Sequence, residues 1–579
     1  MSFQTSFPLS VGMASLAISA AMAQNPADRH PAYDVTSPRM YTIPMPATAL
    51  RIAPATEQRL TGSNVYPFGE DYKSEVLKLE AWRGERCGIQ LAVSTGGGSA
   101  KLRVSCSPLR MGDKTINATA RMIRYTHADK TITADIIGNE NQCDHPVGVN
   151  RAVWFEVNVP QDAAPGLYKG TVTASAPGCD PVTQEIELQV TSGVLPTPDK
   201  WQFHLDLWQH PQAVARWHDV EPWSRAHFEI MRPLMKRLAE AGQKCITCTL
   251  LDEAWNGQTY DWFPSMVRWV KGKDGVMRYD YSALDAWIHF MHDEIGIQEQ
   301  ISCYTMIPWH LSVKYYDEAT GQYSSVKAKP GTPEYTALWT PFLQDFRRHM
   351  QEKGWANKTC IAIDERPDEY VRAAMKLVRE NAPEFRIASA VDKPSELTRE
   401  VYNISPVLTH AGTALGSLLR ERKTAGKITT FYVCLHPLKP NTFTHSVPAE
   451  AEWLGLFAAA NNLDGFLRWA YNSWNRNPFE TTDFGNWPSG DCFLVYPGNR
   501  SSIRFERLRD GIEEYEKIQI LRSRAAESPA AVAAVDAMNR ELEEIFTVER
   551  STENAHTADV NRARAIISRT LKVLELQNY

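Results

Sequence analysis

Between Trp201 and Ala470 the chain repeats one alternation: a short apolar run, then in most cases a longer stretch with helical spacing. The runs are FHLDLW (203–208), CITCTL (245–250), ISCYTM (301–306), TCIAI (359–363), FRIASA (385–390), VYNISPVL (401–408), ITTFYVCL (428–435) and DGFLRWA (464–470). Runs this short and this apolar suit strands covered on both faces, which are parallel and need a crossover helix between neighbours. Three of the intervening segments, RAHFEIMRPLMKRLAEAG, YSALDAWIHFMHDEIG and PEYTALWTPFLQDFRRHMQEKG, close on glycine, a common helix end. Eight strands with this rhythm predict a (β/α)8 TIM-type barrel over 198–500. A doubly wound open sheet is the alternative, but no glycine-rich phosphate loop follows the first strand.

The flanks follow different patterns. From 61 to 197 short β-type runs such as LKLEAW, AVWFEVNV and TQEIELQV alternate with turn signals, which predicts a β-sandwich domain. Residues 501–579 have only helical spacing and predict a helical C-terminal segment whose charges lie on solvated faces. At the other end, VGMASLAISAAMA finishes on Ala21-Met22-Ala23, a small-x-small pattern. This predicts a signal peptide at 1–23 and a protein exported to the periplasm or secreted, although the usual basic start is missing and the first basic residue is Arg29. Residues 24–60, rich in Pro, Ala and Thr, read as leader or linker.

Composition narrows the partner. A net charge of −6 without a basic tract argues against nucleic acid, and no run approaches the roughly 20 apolar residues of a membrane span. Seventeen tryptophans in a near-neutral chain suit a sugar, whose C–H faces stack on aromatic rings. Cys245 and Cys248 form a C-x-x-C, but three-residue spacing on a strand points them to opposite faces, so no metal is expected.

Active sites of such barrels lie at the C-terminal strand ends. Several of these ends are acidic or aromatic, and the fourth is the most constrained: AIDERP places Asp364 and Glu365 side by side. In a regular strand they would face opposite ways. Pro367 ends regular pairing, and where the strand breaks the two carboxyls can converge. Adjacent acids do not span a sugar ring as an opposed acid and nucleophile do. They fit a reaction in which one acid protonates the leaving oxygen and its neighbour positions a nucleophile carried by the substrate, such as a 2-acetamido group. The other reading is an acidic strand end that caps the following helix, where Asp368 and Glu369 also sit. His204, Asp206 and Trp208 alternate along the first strand and would all face the barrel interior.

FHLDLWQHP, AIDERP, FYVCLHPLKPNTF, GFLRWAYNSWN and SSIRFERLRDGIEEYE together resemble glycoside hydrolase family 123, over roughly residues 60–520. The resemblance implies a sandwich followed by a barrel, and a retaining β-N-acetylgalactosaminidase that works through an oxazolinium intermediate without metal or cofactor. By motif, Glu365 resembles the general acid/base and Asp364 the residue that orients the 2-acetamido group. Trp469, Tyr471 and Asn472 lie in the segment that would line the sugar subsite, and Tyr432 would bond the acetamide carbonyl. The expected partner is a glycan with a terminal 2-acetamido sugar. The alternatives are a β-N-acetylglucosaminidase, a hydrolase of another 2-acetamido sugar, or a non-catalytic glycan-binding protein on the same fold.

Overall fold

The structure is a computed structural model that describes residues 50–55, 59–60, 75–95, 100–145 and 150–576. The expected signal peptide and most of the expected leader lie outside the described residues. Leu50–Pro54 falls within the 24–60 stretch expected as leader, and it is a strand paired antiparallel with Arg86–Thr95.

The N-terminal domain is built from two sheets. One runs in the order Leu50–Pro54, Arg86–Thr95, Arg151–Asn158, Ala118–Ala128, Thr131–Ile137 and Ser501–Ser502. The other runs Leu77–Arg83, Val182–Val194, Gly166–Ser175, Ala100–Cys106 and Gln142–His145, with two three-residue strands alongside. Alternation sets the core: Ile186, Leu188 and Val190 point inward from one sheet and meet Leu91, Val153 and Phe155 of the other. Arg151–Asn158 is buried on both faces, because its outer face (Ala152, Trp154) packs with Tyr125 and Ile503.

The second domain holds eight parallel strands: His204–Leu207, Cys245–Thr249, Gln300–Tyr304, Thr359–Asp364, Arg386–Val391, Asn403–Pro406, Ile428–Tyr432 and Gly465–Arg468. The first pairs with the eighth, and Gly465 is required there, since a Cβ would sit 2.1 Å from the His204 carbonyl oxygen. The barrel is nearly closed. Between the first and second strands only the Leu205–Gln243 bridge and a 2.9 Å bond from the Lys244 N–H to the Leu205 carbonyl remain. Glutamine side chains bridge the rest of that seam. Gln243 accepts from the Leu207 N–H (3.0 Å) and donates to the Cys245 carbonyl (2.8 Å), while Gln209 accepts from the Thr247 N–H (2.9 Å). These bonds satisfy backbone groups that a regular ladder would pair.

The eight expected strands form the barrel, and as in the sequence most but not all of them are followed by a helix. The connection between the fifth and sixth strands is too short for an α-helix and holds only the 3-10 turn Glu396–Arg399. The connections after the second and third strands also carry a four-stranded sheet. It is made of Met277–Asp280, Arg268–Lys271, Ser312–Asp317 and Gln322–Lys327.

The C-terminal part is helical, but its first helix, Ile503–Ser523, is not a solvated one. Its charges are buried and paired. Arg504 binds Asp135 (2.9 Å), Glu506 meets Arg86 and Arg237 (both 3.3 Å), and Lys517 meets Glu85 (2.8 Å). Glu516 accepts from the N–H groups of Gln202 and Phe203, both at 2.8 Å. Helical charge spacing is the same for a wet face and for a wedge between two domains, and burial is tolerated here because each charge finds a partner. Gly511 lets this helix meet Pro448–Ala460: a Cβ on Gly511 would lie 2.4 Å from the Glu452 carbonyl oxygen.

Candidate active site

The fourth strand carries its acids to the rim. Its ladder continues through the Glu365 N–H, which donates to the Ala390 carbonyl at 3.0 Å. There the backbone enters the left-handed region, with φ +47° at Glu365, a conformation uncommon outside glycine. The turn removes the strict alternation that would have separated the two side chains, and the Asp364 and Glu365 carboxyls share one electrostatic neighbourhood. The helix-capping role is not taken by either acid. The helix Asp368–Asn381 has Pro367 at its N-cap with no side-chain cap bond, and Asp368 and Glu369 occupy its first turn.

The surroundings of the pair differ on its two sides. Asp364 is partly buried and is pushed up to about 7, first by burial and then by Glu365, against a hydrogen bond from the Trp309 indole and the charge of Arg366. Glu365 is exposed and accepts a hydrogen bond from the Tyr432 hydroxyl at the end of the seventh strand. Burial and the adjacent Glu365 hold the Tyr432 phenol well above its usual range, so it stays a donor. The Arg366 guanidinium lies 4.9 Å from the Trp309 ring centroid.

His204, Asp206 and Trp208 all point into the barrel, but at three levels. His204 lies at the entry end, 3.3 Å from Cys245 Sγ and 3.2 Å from Asn403 Nδ2, and burial lowers its imidazole to about 3, so it is neutral. Asp206 is in the middle, pushed up to about 7 by burial, with Oδ1 lacking a hydrogen-bond partner. Only Trp208 reaches the rim, where it stacks on Trp255 (5.1 Å, 26°) and contacts Tyr304 (4.5 Å). The indole N–H groups of Trp208 and Trp255 are buried without partners. Alternation told which way the three side chains point, not how deep each lies.

Trp469 is also at the rim. Its indole N–H donates to Asp491 (3.2 Å), which is held by a fully buried pair with Arg468 (2.7 Å). Its carbonyl meets His210 Nε2 (3.1 Å), and its ring lies 5.2 Å from that of Trp487. Tyr471 and Asn472 are not brought to this cleft. The Tyr471 hydroxyl donates to the Leu234 carbonyl (3.0 Å), and both residues are fully buried. Asn472 clamps His210, accepting from its N–H and donating to its carbonyl, both at 3.0 Å. Beyond the eighth strand the chain turns back into the body, so they serve as struts behind the cleft.

Trp255, His210 and Trp309 were visible as strand-end residues but not singled out; Asp491, in a distant loop, gave no local signal. Among the described residues no three His, Cys, Asp or Glu side chains gather as metal ligands, and no helix is long and apolar enough to cross a membrane.

Comparison with known proteins agrees with this geometry. The profile of the glycoside hydrolase 123 catalytic domain matches residues 208–521, and that of the glycoside hydrolase 123 N-terminal domain matches 63–176. A family 123 glycoside hydrolase from Clostridium perfringens, studied for glycolipid glycan hydrolysis, superposes with a TM-score of 0.80 at 25% identity. That match covers 86% of this chain and 94% of that one. A family 5 xyloglucanase from Bacteroides ovatus covers 80% of this chain and 100% of its own at 12% identity, but its TM-score of 0.22 carries no argument. The comparison with curated proteins gives no match.

Proposed function

Since the chain belongs to glycoside hydrolase family 123 and is a glycoside hydrolase, we propose that it removes terminal β-linked N-acetylgalactosamine from glycans, with retention, by substrate-assisted catalysis. The observation that carries this reading is the side-by-side placement of Asp364 and Glu365, with Tyr432 on Glu365 and Trp309 on Asp364. Carboxyls on neighbouring residues cannot flank a glycosidic bond from opposite faces. They can serve a sugar that supplies its own nucleophile.

In the first step the acetamide oxygen attacks C1 while Glu365 gives its proton to the leaving oxygen, and the C1–O bond breaks. An oxazolinium ring results, whose N–H is held by Asp364. In the second step Glu365, now a carboxylate, takes a proton from water as that water attacks C1 and opens the ring. Two inversions give retention. Burial and the neighbouring Glu365 raise Asp364 to about 7, so its charge responds to what binds beside it near neutral pH. The bound acetamide N–H favours the charged form of Asp364, and the Tyr432 hydroxyl, at the end of the seventh strand, is within reach of the acetamide carbonyl as well as of Glu365. Trp469 and Trp208 supply aromatic walls. A nucleophile held within the substrate gains the large advantage of proximity.

The glycolipid glycans acted on by the Clostridium perfringens relative support a glycan of that class as substrate, and the small-x-small end of 1–23 supports export. Aryl β-N-acetylgalactosaminide, β-N-acetylglucosaminide and β-galactoside tested on wild type, Glu365→Gln and Asp364→Asn decide the matter. The reading expects cleavage of the first, little of the third, and loss in both variants. Equal cleavage of the β-galactoside would refute it.

A further inference from the structure

The geometry points to a second, distal sugar-binding surface on the four-stranded sheet beside the barrel mouth: a platform of Trp262 and Tyr323 held by Lys314, which takes the sugar residues on the leaving-group side of the cleaved bond. The proposal rests on the glycosidase reading above and extends it to the rest of the substrate.

Trp262 and Tyr323, at 60% and 63%, are the most exposed Trp and Tyr side chains among the described residues. They are not loose. Lys314 Nζ lies 4.6 Å from the Tyr323 ring centroid and 5.7 Å from that of Trp262, and it is itself fixed by Asp252 at 3.2 Å. One ammonium therefore holds both rings, so little side-chain entropy remains to be lost on binding. The surface combines flat apolar faces with a charged donor and acceptor, as a sugar's C–H faces and hydroxyls require.

The platform is carried by the same two connections that supply aromatic residues of the catalytic rim. Trp262 lies in the connection after the second strand, which also carries Trp255; Tyr323 lies in the one after the third, which also carries Trp309, the hydrogen-bond partner of Asp364. The two connections are tied by the 2.8 Å bond between His310 and Asn256. Charge favours a neutral glycan over an anionic lipid surface, because Lys314 is matched by Asp252 and Lys271 faces Asp317 at 3.6 Å.

The test titrates full-length Glu365→Gln protein with free N-acetylgalactosamine and with a neutral tetrasaccharide ending in that sugar, followed by calorimetry. The same titrations follow after adding Trp262→Ala or Tyr323→Ala. The tetrasaccharide should bind at least about tenfold tighter than the monosaccharide, and each second substitution should remove most of that gain while leaving monosaccharide affinity unchanged. Equal affinity for the two sugars, or a tetrasaccharide gain that survives both substitutions, overturns the platform. Phosphatidylcholine vesicles that retain the parent but not the Trp262→Ala protein overturn it in favour of a lipid surface. A tetrasaccharide gain that depends on Trp262, in a protein whose wild type cleaves no 2-acetamido glycoside, keeps the platform and rejects the proposed substrate.

Discussion

Asp364→Asn should make the protein more stable at pH 8 while disabling it. The carboxyl stands at about 7 in the fold against an ordinary 3.8. Its folded value is raised, so as pH climbs from 3.8 to 7 the unfolded chain gives up this proton before the folded one does. Over that window the unfolded state binds fewer protons, and stability falls with rising pH. The cost is absent below 3.8 and complete above 7. At about 1.4 kcal/mol per unit the whole shift comes to about 4 kcal/mol. Asp364 is only partly buried, and screening by water brings the expected figure to about 2–4 kcal/mol. Asparagine keeps the shape and an oxygen for the Trp309 N–H but never ionises. Thermal unfolding of wild type and Asp364→Asn in matched buffers from pH 4 to 8 checks this. The variant should differ by less than about 1 kcal/mol at pH 4 and gain steadily to pH 8. Parallel curves, or a variant that loses ground as pH rises, would refute the claim that burial and Glu365 hold this acid up.

Tyr432→Phe removes the hydroxyl that donates to Glu365. Losing a hydrogen-bond donor beside the acid should lower kcat/KM on the aryl 2-acetamido substrate about 10-fold or more, a loss of about 1.4 kcal/mol or more in transition-state stabilisation. Activity within twofold of wild type would remove Tyr432 from the site. Arg468→Met leaves Asp491 buried without its cation, and denaturant titration should show a loss of about 3–5 kcal/mol. Trp469 would lose its anchor with it, so KM should rise in whatever fraction stays folded. Gly511→Ala drives a methyl against the Glu452 carbonyl and should cost about 1–3 kcal/mol by thermal unfolding.

What the sequence made legible were features set by local chemistry. Eight apolar runs are strands because each is covered on both faces, and Pro367 marks where the fourth stops being regular. That the strand stops being regular at this pair was readable from the proline, though the turn is made at Glu365 itself. Features set by distant partners were not legible. Tyr471 and Asn472 sit beside Trp469 in the chain, but Leu234 and His210 claim them. The four-stranded sheet escaped notice because its strands are short and mostly polar, with pairing that joins two separate connections. The charges of Ile503–Ser523 carry no mark of what covers them, since Asp135 and Glu85 lie hundreds of residues earlier.

The two-residue strand Ser501–Ser502 sets an order of events during synthesis. It completes the first sheet by pairing with Thr131–Ile137, yet roughly 300 residues separate it from Val194, where the rest of that domain ends. At about 5–20 residues per second, the ribosome delivers it some 15–60 s after the other strands have emerged. Until then Asp135 lacks the Arg504 guanidinium and the edge at Ile136 and Ile137 has no neighbour. The nascent first domain therefore waits, with one border open, for the first strand that follows the barrel.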